Sequence, residues 1–240
     1  MQIPERLRCN HRTISGESAN QIETSIRANY HKGWRSETNY SVEGYRADLA
    51  DHLHNRLNDD RGRIIPWLDN AHPLRGSRIL EIGCGTGSST VALAEQGAIV
   101  TGIDIDEDAL IVARDRCTAY GLKASFMPLN GRQLAGTFQA RSFDLIIFFA
   151  CLEHMTIKER LESLRQAWDL LPSNGLLAII ETPNRLWFYD EHTSHLPLFH
   201  WLPNELAFYY SKMSKRENFR ELYHVIFQKR SNTFFAAGEA

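Results

Sequence analysis

The sequence predicts an α/β fold: a doubly wound, mostly parallel sheet with helices on both faces, preceded by an N-terminal helical extension. Short apolar strands alternate with helix-like segments from residue 78 to residue 181. Two of these strands, at 143–149 and 176–181, are continuous apolar runs, as expected of strands buried on both faces of a parallel sheet. The fold class is therefore Rossmann-like, with ligands expected at the carboxyl ends of the strands.

The strands and helices follow in chain order. Five strands are predicted, at 78–82, 99–103, 124–129, 143–149 and 176–181. A helix at 88–96 is ended by Gly97, and a second helix at 157–171 begins with the capping-box pattern Thr156 and Glu159. Apolar residues recur along the second helix at helical spacing, which predicts an amphipathic helix: Ile157, Leu161, Leu164, Trp168 and Leu171.

Four segments are predicted along the chain. Residues 1–20 are polar and unpatterned and should be flexible. Residues 21–74 form the helical extension, which either packs on the sheet through its aromatic residues or closes over a ligand as a lid. Residues 75–203 form the core, including a long aromatic and histidine-rich loop at 183–203 where an acceptor could dock. Residues 204–240 show helical segments with only scraps of strand pattern, so they either complete the core in an unusual way or leave it truncated.

Composition indicates a single enzyme-sized domain in a reducing compartment. The chain has 240 residues, of which 43% are hydrophobic, and its 27 basic and 29 acidic residues nearly balance. A near-neutral chain has no global field for nucleic acid, so a nucleic-acid partner is not expected. The four cysteines show no CxxC pairing, which favours the cytoplasm. No apolar run approaches the roughly 18 residues of a membrane helix, and no signal-peptide core is expected.

A glycine-rich turn after the first strand is the strongest functional signal. Gly83, Gly85 and Gly87 are spaced two apart between a strand and a helix, so main-chain N–H groups can meet a ligand that a Cβ would push away. The second strand ends in Asp104, where the logic of dinucleotide-binding folds puts the acceptor for a ribose hydroxyl. The dinucleotide fingerprint would require its third glycine at Ser88, one place later, so a nicotinamide cofactor fits poorly.

These residues resemble the first motif of the class I S-adenosylmethionine-dependent methyltransferases, an acidic residue, a spacer and then Gly-x-Gly-x-Gly, here beginning at Glu81. The resemblance implies S-adenosylmethionine as the cofactor, with the glycine turn at its amino-acid end and Asp104 on its ribose. Cys84, inside the loop, is interpreted as a small filler rather than a nucleophile. The residues that are expected at the cofactor are Glu81, Gly83, Cys84, Gly85, Gly87, Asp104, Ile105, Asn130, Gly131, Phe149, Tyr30 and Trp34.

Four of these residues depend on position alone. Asn130 and Gly131 follow the third strand, where relatives carry a polar pair beside the adenine, although an ordinary turn explains them equally well. Many relatives close an N-terminal segment over the cofactor, which makes Tyr30 and Trp34 candidates; an aromatic stripe is otherwise usually part of a core.

The segment after the fourth strand bears on the chemistry. Its Leu-Glu-His sequence looks like that of the ubiquinone-pathway O-methyltransferases and of the small-RNA terminal 2′-O-methyltransferases, which use Glu-x-x-Glu-His as metal ligands. Here the first ligand position is Ala150, so no metal site is predicted from Glu153 and His154 alone. We expect His154 to act as a general base oriented by Glu153. The alternative is that both residues simply start the next helix.

The loop at 183–203 holds the remaining candidates. Asp190, His192 and His195 share the spacing of a possible metal site, but a hydrogen-bonded loop that walls the acceptor pocket is the preferred interpretation. His192 is kept as a second candidate for the catalytic base.

The function that this sequence predicts is methyl transfer from S-adenosylmethionine, most simply to an oxygen of a small-molecule or glycan-type acceptor. Three alternatives stay open: an RNA 2′-O-methyltransferase, a nicotinamide-dependent oxidoreductase, and a catalytically silent cofactor-binding protein.

Overall fold

The computed structural model describes residues 9–181, 188–190 and 194–214. The chain divides into two compact units, Met1–Thr182 and Pro183–Ala240. The predicted core extended to residue 203, whereas here the segment from Pro183 onward groups with the C-terminal unit.

The first unit contains a five-stranded parallel sheet. Its strands are β1 (Arg78–Ile82), β2 (Ile99–Asp104), β3 (Ser125–Pro128), β4 (Leu145–Phe149) and β5 (Leu176–Ile180), in the spatial order β3-β2-β1-β4-β5. The order reverses between β1 and β4, as in doubly wound sheets. In register, Ile82 pairs with Ile103 on one side and with Phe148 on the other, so three strand ends meet at one edge of the sheet.

Helices cover both faces of this sheet. After the N-terminal helices come α5 (Ser88–Glu95), α6 (Glu107–Ala119), α7 (Leu134–Thr137) and α8 (Ile157–Asp169). One apolar cluster joins the N-terminal helices and α5 to one face of the sheet, and a second joins α7 and α8 to the other. The two clusters confirm the doubly wound α/β fold.

The N-terminal extension is helical, as predicted. It comprises α1 (Gly16–Ser25) and a long stretch formed by α2 (Val42–Ala50), α3 (Arg56–Asp59) and α4 (Ile65–Ala71). The joints of that stretch are π-helical turns, Asp51–Asn55 and Asp60–Ile64. Its inward side chains belong to the same apolar cluster as α5.

Residues 9–15 differ from the expected flexible segment at 1–20. The N–H of Asn10 donates to Gln96 at 2.9 Å, and that of Arg12 donates to Glu95 at 2.8 Å. The Arg12 guanidinium also donates to the carbonyl of Gly121 at 2.7 Å. This segment is ordered because its backbone N–H groups find side-chain acceptors on the core.

Helix α8 also differs from expectation in the side that it buries. Its capping box is present as predicted, with Thr156 at the N-cap and Glu159 at N3. Ile157, Leu161 and Trp168 of the predicted apolar stripe are nevertheless exposed. Leu164 and Leu171 of that stripe do pack in the second apolar cluster. The buried face also carries the small residues Ser163 and Ala167, and Ser163 lies against the turn at Gly131.

The C-terminal unit is described only in part. It contains α9 (Asn204–Ser211), and Phe199 and Ala207 form its small apolar cluster. The helical segments predicted beyond Ser214 lie outside the described residues. Within the described part of the chain, no helix is both long and apolar enough to cross a membrane.

Candidate active site

Two of the three glycines in the loop between β1 and α5 are needed for close packing. The φ angles are +82° at Gly83 and +79° at Gly87, in the region that favours glycine. A Cβ at Gly83 would lie 2.6 Å from the Cβ of Cys151, and one at Gly87 would lie 2.8 Å from the Cβ of Ala113 on α6. These glycines therefore bring the loop against its neighbouring elements.

Gly85 differs because the space at its Cβ position is open. Its φ is +49°, and no atom of the described residues lies within 4 Å of that position. Its N–H donates to Asp104 Oδ2 at 2.9 Å, and Asp104 Oδ1 accepts from the N–H of Asp106 at 2.9 Å. Burial raises the pKa of Asp104. The carboxylate thus joins two loops at the sheet edge, beside a backbone cradle that a Cβ would fill.

Helix α5 begins at this cradle. Gly87 occupies its N-cap, and within the described chain no side chain caps its first turn. The N–H groups of a first helical turn have no intrahelical partner, so they are available to an anionic group. Ser88 is buried, and among the described residues its hydroxyl has no hydrogen-bond partner. The loop therefore offers donors as well as space.

Two predicted cofactor residues lie in the interior. The Glu81 side chain is fully buried, and its carboxylate accepts from the hydroxyls of Ser89 and Thr90 on α5. Burial raises the pKa of Glu81 to about 7. The Cys84 side chain packs against Gly102 of β2, and burial raises the pKa of its thiol well above the ordinary value. Any contact of Cys84 with a ligand would come from its backbone.

The strand ends beside the loop carry strained backbone. Ala150, directly after Phe149 and β4, has a φ of +44°, and Glu181, directly after β5, has a φ of +55°. The N–H of Ala150 donates to the carbonyl of Ile180 at 3.0 Å, which ties the two strand ends together. Non-glycine residues in this region cost about 1–3 kcal/mol each and cluster at functional sites. Sequence reasoning did not foresee this feature.

Glu153 and His154 lie in a short 3₁₀ turn, Leu152–His154, which follows this strained residue. The turn is held by Arg160 of α8, whose guanidinium donates to the carbonyls of Leu152 at 3.0 Å and Met155 at 3.2 Å. The two candidate residues therefore precede α8 rather than start it.

The two side chains differ in exposure. The His154 side chain is 65% exposed, whereas that of Glu153 is 12% exposed. Among the described residues, neither Glu153 carboxylate oxygen has a hydrogen-bond partner. Glu153 Oε1 lies 3.8 Å from His154 Nε2, within ion-pair distance but too long for a hydrogen bond. The arrangement places an accessible imidazole beside a buried carboxylate.

The turn after β3 has a local structural role. Asn130 caps the 3₁₀ helix Gly131–Gln133: its side chain accepts from the N–H of Arg132 at 3.0 Å. Gly131 is buried, because a Cβ there would lie 3.0 Å from the hydroxyl of Ser163 on α8. Contact of either residue with an adenine stays a prediction.

The N-terminal extension reaches the loop after β2. The Arg35 guanidinium lies 4.1 Å from the ring centroid of Tyr30 and donates to Asp106 at 2.7 Å. Ile105, next to Asp106, is 76% exposed and faces solvent beside this contact. Trp34 lies in the same segment, but its side chain is outside the described part. Cofactor contact by Tyr30 and Trp34 stays a prediction.

His52 and Arg116 were missed from the sequence. The ring of His52 packs at a tilt against that of Tyr30 with centroids 4.6 Å apart, and its Nδ1 lies 3.3 Å from the hydroxyl of Thr86 in the glycine loop. Arg116 is completely buried on the inner face of α6, next to Cys117. The sequence offered one signal for Arg116, which is a charged residue on the otherwise apolar face of α6.

The predicted acceptor loop can be described by itself and in part. Asp190 is buried, accepts from the N–H and hydroxyl of Ser194 at 2.6 and 2.7 Å, and lies 3.2 Å from His200 Nε2. His195 contributes its carbonyl, which accepts from the hydroxyl of Tyr189 at 2.9 Å. His192 lies outside the described residues. Within those that are described, no group of three potential ligands could hold a metal ion.

Comparison with known proteins identifies the core. Residues 79–175 match the family model described as "Methyltransferase domain". Residues 79–175 form a class I methyltransferase domain.

Two curated relatives of this methyltransferase domain share one name. The chain is 34% identical over 99 residues to the "Ubiquinone biosynthesis O-methyltransferase" of Pseudomonas aeruginosa (strain LESB58), covering 41% of this chain and 42% of the relative. It is 35% identical over 131 residues to the protein of the same name from Nitrosococcus oceani, covering 50% of this chain and 55% of the relative. The chain thus spans about half the length of the curated relatives it matches.

A solved structure is similar in outline. The magnesium protoporphyrin IX methyltransferase of Synechocystis PCC 6803 with bound SAM is 21% identical, with a TM-score of 0.45, and the match covers 66% of this chain and 74% of the other. The domain assignment rests on the family model and the sequence relatives, since this TM-score is too low to carry it.

Proposed function

We propose that this chain binds S-adenosylmethionine on the glycine loop and transfers its methyl group to an oxygen of a small-molecule or glycan-type acceptor. The observation that carries the proposal is the open cradle at Gly85, on the loop of a methyltransferase domain and bonded directly to Asp104. Gly83 and Gly87 are explained by packing within the protein, whereas the positive φ of Gly85 faces open space. A ligand that approaches the backbone is the simplest reason for glycine there.

The chain's own groups fit the parts of this cofactor. The first turn of α5 and the Ser88 hydroxyl offer donors to the carboxylate of its amino-acid end. Asp104 keeps lone pairs beyond its two backbone bonds, so it can also accept from ribose hydroxyls. The exposed side chain of Ile105 supplies an apolar surface next to that carboxylate. When bound, the cofactor supplies an activated methyl group on a sulfonium.

The remaining chemical need is to align the acceptor and remove its proton. Methyl transfer from a sulfonium releases a neutral thioether, so leaving-group assistance is small and in-line placement dominates. His154 is accessible in the turn that follows β4, at the same sheet edge as the loop, and an imidazole is the side chain that most often serves as a general base. Glu153, whose carboxylate is buried 3.8 Å away, would stabilise the imidazolium that forms. We therefore assign the base to His154 and its support to Glu153.

The acceptor class rests on the relatives. Their names describe O-methyltransferases of ubiquinone biosynthesis, which favours an oxygen of a small molecule over a macromolecule. The near-neutral charge of the chain agrees with that class, because it provides no general attraction for a polyanion. Ala150 stands where a Glu-x-x-Glu-His ligand set would have its first residue, so the proposed transfer uses no metal.

Isotopically labelled S-adenosylmethionine tests the proposal directly. The protein is incubated with the labelled cofactor and fractionated cell extract, and label is followed into small-molecule, lipid, glycan and RNA pools. We expect label in a small-molecule or glycan fraction. The labelled product should resist acid, and its mass should be that of the acceptor's methyl ether. Label confined to RNA would contradict the acceptor class. Absence of transfer with every fraction, despite cofactor binding, would favour a catalytically silent protein.

A further inference from the structure

Arg116 makes an unusual set of hydrogen bonds for a buried guanidinium. Its side chain is fully inaccessible, and within the described residues its three hydrogen bonds go to main-chain carbonyls rather than to a carboxylate. Nε donates to Thr86 at 2.8 Å, Nη2 to His52 at 2.6 Å, and Nη1 to Leu53 at 3.5 Å. Burial lowers the pKa of Arg116 to about 10, so the group is still a cation at neutral pH. One side chain on α6 thus joins the N-terminal helical stretch to the glycine loop.

The carbonyl that Arg116 holds belongs to the last peptide of that loop before α5. The Thr86–Gly87 peptide is fixed at both ends, because the Gly87 N–H donates to the carbonyl of Cys84 at 2.9 Å. The Thr86 hydroxyl lies 3.3 Å from Nδ1 of His52. Burial lowers the pKa of His52 to about 2, so this ring is neutral at physiological pH. A rotation of the peptide would redirect the backbone on either side of it.

Gly85 directly precedes this fixed peptide. Its own N–H is held by Asp104, so the loop is bonded on one side to β2 and on the other to Arg116. Preorganised donors bind a ligand more tightly than donors that must be ordered on binding. Loss of the Arg116 bond would free the peptide next to the cradle without removing any group that touches the ligand.

We infer that Arg116 is a positioning residue for the cofactor, which fixes the Thr86–Gly87 peptide of the glycine loop against the N-terminal helical stretch. This inference rests on the proposed function, since the loop must bind S-adenosylmethionine for its geometry to matter. The N-terminal extension then has a definite role. Its His52 and Leu53 carbonyls accept from the Arg116 guanidinium and so fix the group that fixes the loop.

Arg61 provides a matched control, because it also links the N-terminal extension to the core. Its guanidinium donates to both carboxylate oxygens of Glu95, and to the carbonyl of Arg12 at 2.9 Å. Glu95 is at the far end of α5, whereas Thr86 is next to its start. Removal of either arginine breaks a buried link between the N-terminal extension and the core, but only Arg116 reaches the loop.

The experiment compares Arg116→Met, Arg116→Lys and Arg61→Met in the full chain. Calorimetry gives the dissociation constant for S-adenosylhomocysteine, thermal unfolding gives the midpoint, and hydrogen–deuterium exchange follows the peptide at 83–90. We expect Arg116→Met to bind at least about tenfold more weakly, and Arg116→Lys to recover part of the loss. Arg61→Met should lower the unfolding midpoint and leave affinity within about twofold of the wild type.

The outcomes separate positioning from stability and from the proposed function. Wild-type affinity in folded Arg116→Met, or equal weakening in Arg61→Met, would overturn the inference. If Arg116→Met does not fold, faster exchange at 83–90 in Arg116→Lys, with the rest of the core unchanged, supports it, and unchanged exchange overturns it. A wild-type chain that does not bind S-adenosylhomocysteine would overturn the proposed function, and the inference with it.

Discussion

A leucine at Gly85 should weaken cofactor binding strongly, with little effect on folding beyond the strain of its backbone. No atom of the described residues lies within 4 Å of the Cβ position, so the added side chain meets no protein group. A leucine with φ near +49° costs about 1–2 kcal/mol of folding free energy. The same side chain occupies the space through which a ligand would approach the loop backbone.

The expected loss of affinity can be estimated from the contacts that are blocked. Two hydrogen bonds between the loop backbone and a charged ligand, at about 1–1.5 kcal/mol each, correspond to about 2–3 kcal/mol. Such a loss raises the dissociation constant by about 30- to 150-fold. Calorimetric titration with S-adenosylhomocysteine measures it.

Gly76→Leu supplies the control for backbone strain. Gly76 has a φ of +77° and likewise no neighbour within 4 Å among the described residues, but it lies in the turn between α4 and β1. Both variants should therefore lose similar stability, and only Gly85→Leu should lose affinity. Wild-type binding by folded Gly85→Leu, or an equal loss in Gly76→Leu, would refute the idea that the cradle receives the ligand.

Three further predictions concern the chemical step, the use of a metal and the buried carboxyl group of Asp60. His154→Ala should lower kcat by about 10²–10⁴, with cofactor affinity unchanged; unchanged kcat would move the base elsewhere. Turnover should survive strong chelation, because Ala150 replaces a ligand of the metal-binding pattern; loss in EDTA that magnesium or zinc restores would contradict this. Burial, together with the negative charges of Glu81 and Glu181, raises the pKa of Asp60 to about 8, so the folded state holds its proton. The free energy of unfolding should therefore fall as pH rises from about 4 towards 8. Asp60→Asn should flatten that dependence in denaturant titrations, gaining at least about 1 kcal/mol at pH 8 relative to pH 5; an unchanged slope would mean that Asp60 is not the group responsible.

Much of the fold was predictable because the strands and helices are encoded locally. The continuous apolar runs correctly indicated the parallel strands β4 and β5, and the capping box at Thr156 marked the start of α8. Burial on both faces holds for β4 but not for β5, which is the last strand of the described sheet and exposes Ile179. Periodicity alone did not show which side of α8 is buried. Its exposed stripe and its buried Ser163 and Ala167 follow from the close approach of the helix to its neighbours, which depends on distant parts of the chain.

The site was predictable where the backbone itself is the functional group. The spacing of Gly83, Gly85 and Gly87 indicated a ligand loop, but their different roles required the positions of Cys151 and Ala113. The bonds of Arg116 were not predictable, because its acceptors are main-chain carbonyls about 30 and 60 residues away, and carbonyls leave no mark in the sequence.

Binding of S-adenosylhomocysteine to the wild-type chain tests the central claim most directly. Calorimetric titration should show saturable binding at one site per chain, and NADH titrated in the same way should give no saturable heat. Saturable binding of NADH, or no binding of S-adenosylhomocysteine by a folded chain, would contradict the assignment of the glycine loop to S-adenosylmethionine.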